Sequence, residues 1–124
     1  MKTLKITKAD LNERNEYARS RDLEFEGHIE VEASLGLVNV LGFIRAAGRL
    51  SIEAGSSIEA GSSIKAGSYI RCKAKLTVKL RIFAGLCSWR LPKQEEQVIE
   101  CAELTQGTVC FGELKLLPAK TEAA

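Results

Sequence analysis

Large apolar residues recur every six positions through the centre of the chain, in the stretch SIEAGSSIEAGSSIKAGSYI at residues 51–70. In the most regular hexads the first, third and fifth positions are apolar or small, and the others are polar, glycine or tyrosine. Side chains of a β-strand alternate between its two faces, so a period of two predicts strands with one apolar face and excludes a helix. The hexads open at Ile52, Ile58, Ile64, Ile70, Leu76 and Ile82.

The same alternation occurs upstream in a different phase, with openers at Leu23, Ile29, Leu35 and Leu41. A shift of one residue would turn an apolar face to water. The phase difference therefore predicts a bulge or loop near residues 44–49 that absorbs the slip. Glycine at a fixed slot in several hexads also predicts a turn with an unusual backbone angle.

The unit IEAGSS resembles the hexapeptide repeat of left-handed parallel β-helix proteins, with an aliphatic opener, glycine fourth and serine fifth. The resemblance covers residues 23–87 and implies that three hexads form one triangular coil. Bactofilin-like right-handed β-helices are also built from short apolar alternations, so the handedness stays open. The expected fold is all-β, a short parallel β-helix in which each coil needs its neighbours. An antiparallel β-sandwich is the alternative.

The flanks are predicted to close the two ends of this β-solenoid, whose open strands would otherwise need partners. Residues 1–22 should form a strand and a helical cap, since TKAD at positions 7–10 has the form of a capping box. Residues 88–117 should form a cap with a β-hairpin around Thr105 and Gln106, followed by a flexible tail at 118–124. In that hairpin Cys101 would face Cys110, as packed thiols, a disulfide or a shared metal site.

The length and composition of the chain predict its domain count and its compartment. The chain has 124 residues, of which 45% are hydrophobic and 27% charged, the proportions of one globular domain. Its start is too polar for a signal peptide, and no apolar run is long enough to span a membrane. We therefore expect a cytoplasmic protein with reduced cysteines. The four cysteines contain no Cys-x-x-Cys pair, so no structural metal or cofactor is expected.

Catalytic signatures are sparse. The hexapeptide-repeat acyltransferases, which this chain resembles only in the repeat, use a histidine as general base. The one histidine here, His28, precedes the regular hexads and is expected to face outward. Phosphate-binding loops, His-Glu-x-x-His motifs and nucleophile elbows do not occur in the sequence. We therefore predict a protein that is not an enzyme, with the acyltransferase as the least favoured alternative.

Charge is unevenly distributed along the chain. Four acids, Glu24, Glu26, Glu30 and Glu32, lie at the start of the predicted solenoid. From residue 65 to residue 90 every charged residue is basic, and we call these seven residues the basic band: Lys65, Arg71, Lys73, Lys75, Lys79, Arg81 and Arg90. The solenoid would thus be acidic at one end and basic at the other. With three hexads in each coil, Glu53 would lie beneath Arg71 as a cross-coil ion pair.

Three aromatic residues, Tyr69, Phe83 and Trp89, are predicted to face outward or to follow the solenoid, and they are candidates for an interface. The favoured function is a non-enzymatic module that binds protein, first of all itself as a homodimer or homotrimer. The chain also resembles small uncharacterised repeat proteins of gut bacteria and their phages. That resemblance implies an alternative, a phage- or prophage-encoded inhibitor of a host defence complex that acts by protein binding. The basic band makes an acidic host protein a second candidate partner. Nucleic-acid binding through the basic band is a further alternative.

Overall fold

The computed structural model describes residues 2–85 and 94–116 of the chain. It is built from β-strands, with two short 3-10 turns at Lys8–Asp10 and Gln94–Glu96. The strands in chain order are β1 (Thr3–Ile6), β2 (Leu23–Phe25), β3 (His28–Val31), β4 (Gly36–Val40), β5 (Ile44–Ala46), β6 (Leu50–Ile52), β7 (Ser56–Ala60), β8 (Ile64–Ala66), β9 (Ile70–Ala84), β10 (Val98–Phe111) and β11 (Glu113–Leu116).

The strands stack in parallel into three walls, so the predicted parallel β-solenoid is confirmed. Wall A contains β2, β5, β8 and the ends of β9 and β10. Wall B contains β1, β3, β6, the starts of β9 and β10, and β11. Wall C contains β4, β7 and the middle parts of β9 and β10. Every pair of named strands in the described residues is parallel, which rules out the antiparallel sandwich.

Ladders of aliphatic side chains fill the interior between the walls. On wall A the ladder is Leu23, Ile44, Ile64 and Ile82, none more than 1% exposed. All six hexad openers from Ile52 to Ile82 are likewise buried, as the alternation predicts. Full burial of such a side chain contributes about 1.5–3 kcal/mol, so these ladders are the main source of stability.

The coils do not all have the length of three hexads, which corrects the expectation from the repeat. Leu23 pairs with Ile44, and Ile44 pairs with Ile64, and both steps along the chain are longer than three hexads. Only the next step, from Ile64 to Ile82, equals three hexads. The predicted slip near residues 44–49 is also wrong, because that stretch contains the buried residues of β5 and leads in phase to Leu50, the first residue of β6.

The extra residues lie at the corner between wall B and wall C, at residues 32–35 in one coil and 53–55 in the next. There the backbone turns sharply, and Gly55 has the φ of +79° that the fixed glycine slot predicted. Gly61, at the equivalent slot of the following hexad, does not have a positive φ. It is glycine for another reason, since an added Cβ would lie 2.1 Å from the carbonyl oxygen of Leu41.

The alternation also fails where the chain turns. Leu80 and Leu41, which the hexads assign to the inward face, are 56% and 45% exposed because each lies at the corner between wall C and wall A. A corner rotates the side-chain directions, and the rule that positions one, three and five share a face holds only along a wall.

The N-terminal segment closes its end of the solenoid, as expected, but not with a helix. β1 is the first strand of wall B, and only the three residues Lys8–Asp10 are helical. The chain then crosses the end, and the N–H of Tyr17 donates to the carbonyl of Asn39 at 2.8 Å on wall C. Asn15, with a φ of 59°, makes a turn that a helix could not contain.

The C-terminal segment does not form the predicted hairpin. β10 runs through Thr105 and Gln106 without reversing, and pairs in parallel with β9 on one side and with β11 on the other. Alternation alone does not distinguish parallel from antiparallel neighbours, and here the chain continues to coil. Cys101 therefore lies beside Cys72 rather than Cys110. The basic-band residue Arg90, the aromatic Trp89 and the predicted tail at 118–124 lie outside the described residues.

Candidate protein-interaction surface

The basic band does not form one surface. Its described members belong to a single coil and are spread round it, with Lys65 on wall A, Arg71 on wall B and Lys79 at the corner between walls C and A. Two are paired with acids: Arg71 Nε lies 2.9 Å from Glu100 Oε1, and Lys73 Nζ lies 3.3 Å from Glu53 Oε1. Glu53 thus pairs with Lys73 and not with Arg71, because its coil is longer than three hexads.

Acids lie on both sides of the basic coil. On the N-terminal side, Glu24 and Glu26 both accept hydrogen bonds from Arg45 Nη1, at 3.1 and 2.6 Å. On the C-terminal side, Glu100 and Glu103 align with Arg71 and Lys75. The expected division into an acidic end and a basic end is therefore wrong.

The predicted aromatic cluster is divided between walls. Tyr69 lies under the guanidinium of Arg71, whose Cζ is 4.5 Å from the ring centre. Phe83, on wall A, has the ammonium of Lys65 at 5.5 Å from its ring centre. Both rings are half-buried. Phe83 also has an aromatic neighbour, Phe111 of the following coil, which is 37% exposed.

His28 ties two coils together. Its Nδ1 accepts a hydrogen bond from the backbone N–H of Arg49 at 2.9 Å. The ring fills the space beside Gly48, where an added Cβ would lie 2.2 Å from Nδ1. Burial and the charge of Arg49 lower the pKa of His28, which favours the neutral ring that accepts this bond. The geometry gives the imidazole a structural role, and the absence of catalysis stays a prediction.

Two of the cysteines lie side by side in the interior. Cys72 and Cys101 are fully buried and unbonded on adjacent strands of wall B, whereas Cys110 is exposed. Burial, with smaller contributions from Cys72 and Glu103, raises the pKa of Cys101 to about 11, so its thiol stays protonated. Within residues 2–85 and 94–116 no group of three or more His, Cys, Asp or Glu side chains is placed to hold a metal ion.

The N-terminal end of the interior is covered. Ile6, an inward residue of the first strand, is 1% exposed, and Tyr17 lies over the same end with 9% exposure. Asp10 holds the covering segment in place: its carboxylate accepts the N–H of Thr7 at 2.8 Å and pairs with the guanidinium of Arg19. Burial opposes ionisation of Asp10, but these two donors outweigh it and lower its pKa.

The C-terminal end of the interior is different. Leu114 and Leu116 of β11 continue the inward ladders of Ile99 and Cys101, which are both fully buried. Leu114 is nevertheless 37% exposed and Leu116 61% exposed, because no described strand lies beyond β11. Leu104 and Val109, the inward residues of the last coil on walls C and A, are half-buried. We call Leu104, Val109, Leu114 and Leu116 the end patch.

The end patch was not predicted from the sequence, because the predicted hairpin gave these residues a different role. A hairpin would have turned residues 107–114 back as a cap, so Leu114 and Leu116 were not recognised as the last steps of a ladder. The signal was present in the alternation of GELKL at residues 112–116, where charged residues separate the leucines. Phe111 was missed for the same reason.

Beside β11 the outer surface of wall B contains a shallow hollow of about 250 Å³, lined by Arg71, Gln94, Val98, Glu100, Glu113 and Lys115. Its charged residues alternate along the stack, with Glu100 in register between Arg71 and Lys115. The hollow is open, and its polar groups do not converge on one point as a small-molecule site requires. The exposed apolar end next to it is therefore the better candidate for binding.

Within residues 2–85 and 94–116, the fold is a parallel β-solenoid with one covered end and one exposed end. Comparisons of the chain with protein-family models, with curated proteins and with solved structures find no match. No helix in the described residues is long and apolar enough to cross a membrane.

Proposed function

We propose that this protein is a non-enzymatic, self-associating β-solenoid module that binds through its C-terminal end. One observation carries the proposal: the inward leucines of β11 are 37% and 61% exposed, whereas the residues they follow in the ladders are fully buried. An exposed apolar cluster beside the unpaired edge of a strand is a strong site for association, since both the side chains and the backbone gain a partner.

The free energy available from burying the end patch fits a specific interface of modest affinity. Full burial of one leucine side chain contributes about 1.5–3 kcal/mol, and these two begin partly buried. Together with Leu104 and Val109 they supply the apolar centre of an interface, around which charged residues form a rim. Edge-strand hydrogen bonds would add to the binding energy.

The test is the solution mass by light scattering over a range of protein concentrations, at low and high salt. We expect a dimer that persists at high salt, because apolar contacts are not screened. Leu116→Ser should give a monomer. Leu80→Ser is the matched control, since Leu80 is 56% exposed but lies on the side of the solenoid, and it should leave the mass unchanged. A wild-type monomer at every concentration would overturn the proposal.

A second candidate is favoured by the corner at residues 79–81, where exposed Leu80 lies between the exposed cations Lys79 and Arg81. Such a corner fits an acidic protein partner, the class to which a defence-complex target would belong. Nucleic acid is less favoured because the basic residues encircle the coil. Binding of nucleic acid would weaken steeply with salt and fail when Lys73, Lys75 and Lys79 are neutralised.

A further inference from the structure

The backbone of β11 shows which of its groups are free. The N–H of Glu113 donates to the carbonyl of Gln97 at 2.7 Å, so the polar backbone groups of Glu113 face β10. Successive residues of a strand point these groups to opposite edges. The N–H and C=O groups of Leu114 and Leu116 therefore point along the stack, away from the described strands. The outer edge of β11 can therefore form backbone hydrogen bonds with another strand through Leu114 and Leu116.

The charges on the outer surface of β11 favour one orientation of a partner strand. Glu113 and Lys115 are both exposed and stand two positions apart, with Leu114 between them. If a second β11 pairs in the antiparallel direction about a two-fold axis at Leu114, Glu113 lies opposite the partner's Lys115, and Lys115 opposite the partner's Glu113. The strand is complementary to itself.

The other stacking arrangement lacks this complementarity. If the C-terminal end of one copy stacked on the N-terminal end of the next, β11 would lie on β1 in the register of wall B. The outer ladder there runs Lys5, Glu30, Ser51, Arg71, Glu100 and Lys115. Lys115 would then meet Lys5 of the next copy. The N-terminal end is also covered by residues 8–19 and offers little apolar surface.

We propose that two copies associate tail to tail, through antiparallel pairing of their β11 strands about a two-fold axis at Leu114. This inference rests on the proposed self-association and specifies its partner and geometry. Leu114 exchanges two backbone hydrogen bonds with the partner's Leu114, since its N–H and C=O face the edge. Glu113 and the partner's Lys115 form the non-hydrogen-bonded pair, in which side chains approach most closely.

The remaining contacts of this arrangement are apolar. Leu116 lies opposite the partner's Gly112, which has no side chain to obstruct it. A two-fold axis through wall B carries wall A of one copy towards wall C of the other, so Val109 approaches the partner's Leu104. The two open interiors then become one continuous core. Because the contact is isologous, the assembly closes as a dimer and does not grow into a filament.

Charge reversal tests this geometry directly. Glu113→Lys places like charges opposite each other twice in the dimer, and so does Lys115→Glu. Each single variant should weaken dimerisation at low salt by about tenfold or more, since repulsion replaces two attractive pairs. The double variant, with both changes in one chain, restores both pairs and should dimerise like the wild type.

The outcomes separate this inference from the proposed function. Light scattering gives the masses, and circular dichroism confirms that each variant is folded. If the wild type dimerises and Leu116→Ser is monomeric while the charge reversals have no effect, the end patch is the interface but this geometry is wrong. The geometry is also wrong if the double variant stays monomeric. A monomeric wild type overturns both proposals.

Discussion

The two ends of this solenoid have the same interior but different surroundings. Wall B begins with Ile6, which is 1% exposed, and ends with Leu116, which is 61% exposed. The residues are equally apolar and belong to the same ladder. The difference comes from residues 8–19, which cross the N-terminal end and bond to wall C through Asn15, Tyr17 and Asn39, whereas no described segment crosses the C-terminal end. An end of a solenoid thus leaves its apolar ladders and its edge strands exposed unless a further segment covers them.

The largest effect should come from truncating the same residue at two places in one ladder. Leu50 lies in the middle of wall B, fully buried, and Leu114 lies at its end. Leu50→Ala should lower the free energy of unfolding by about 2–5 kcal/mol, because a cavity forms that the rigid coils cannot fill. Leu114→Ala should lower the free energy of unfolding of the monomer by less than half of that amount, since water already reaches Leu114. Urea unfolding under monomeric conditions measures both, and equal losses would mean that the C-terminal end is covered.

The covered end can be opened at Asp10. Asp10→Ala removes the acceptor that binds the Thr7 N–H and the Arg19 side chain. This change should lower the free energy of unfolding by about 1–3 kcal/mol. Hydrogen exchange of the Ile6 and Tyr17 amides should speed up, while exchange in β8 should not change. Asp10→Asn is the matched control, since it keeps an acceptor but loses the charge, and its stability should lie between those of the wild type and the alanine variant. Unchanged exchange at Ile6 in the alanine variant would show that Asp10 does not hold the cover.

A smaller effect should appear as pH dependence at His28. Its pKa is lowered in the folded state, so the unfolded chain takes up a proton more readily. Above the ordinary histidine pKa of about 6.5 both states are neutral and the bond from Arg49 is intact. As the pH falls from there through the lowered pKa, stability should decrease by about 0.5–1 kcal/mol, the contribution of one hydrogen bond.

His28→Asn offers an uncharged acceptor at a similar position and should remove this pH dependence. His28→Ala should remove it too, but with lower stability at every pH, because no acceptor remains for the Arg49 N–H. Thermal unfolding from pH 8 to pH 5 distinguishes the three proteins. A wild-type melting temperature that stays constant over this range would contradict the assignment.

Alternation predicted what lies along the walls and failed at the corners and the ends. Ile58, Ile64 and Ile70 are buried as the period of two requires, because that period is a property of every extended strand. Coil length was not predictable from the hexads, since extra residues such as those at 53–55 can extend a corner without disturbing a wall. The outward placement of Leu80 depends on the same kind of corner.

The exposed end was hidden from sequence analysis for a different reason. The pattern around Leu104 and Val109 is the same whether the chain reverses at Thr105 or continues to coil. Only the hydrogen bonds between strands distinguish the two, and here β10 pairs with β9 in parallel. Had the parallel direction been known, the leucines of β11 would have been recognised as the last, uncovered step. The expected division into an acidic end and a basic end was wrong for a similar reason, because residues that are close in sequence lie on different walls of one coil.

The corner between walls B and C also matters for engineering. Successive coils pass this corner from Ile29 to Val38, from Leu50 to Ile58 and from Ile70 to Leu76, so the corner becomes shorter from one coil to the next while the inward ladders stay in register. The fold thus accommodates corners of different lengths at this one position on its circumference. A foreign peptide grafted at residues 53–55 would extend from a rigid support at the cost of little more than loop closure. The corner at residues 53–55 is thus a suitable position for displaying a grafted peptide on the side of the solenoid.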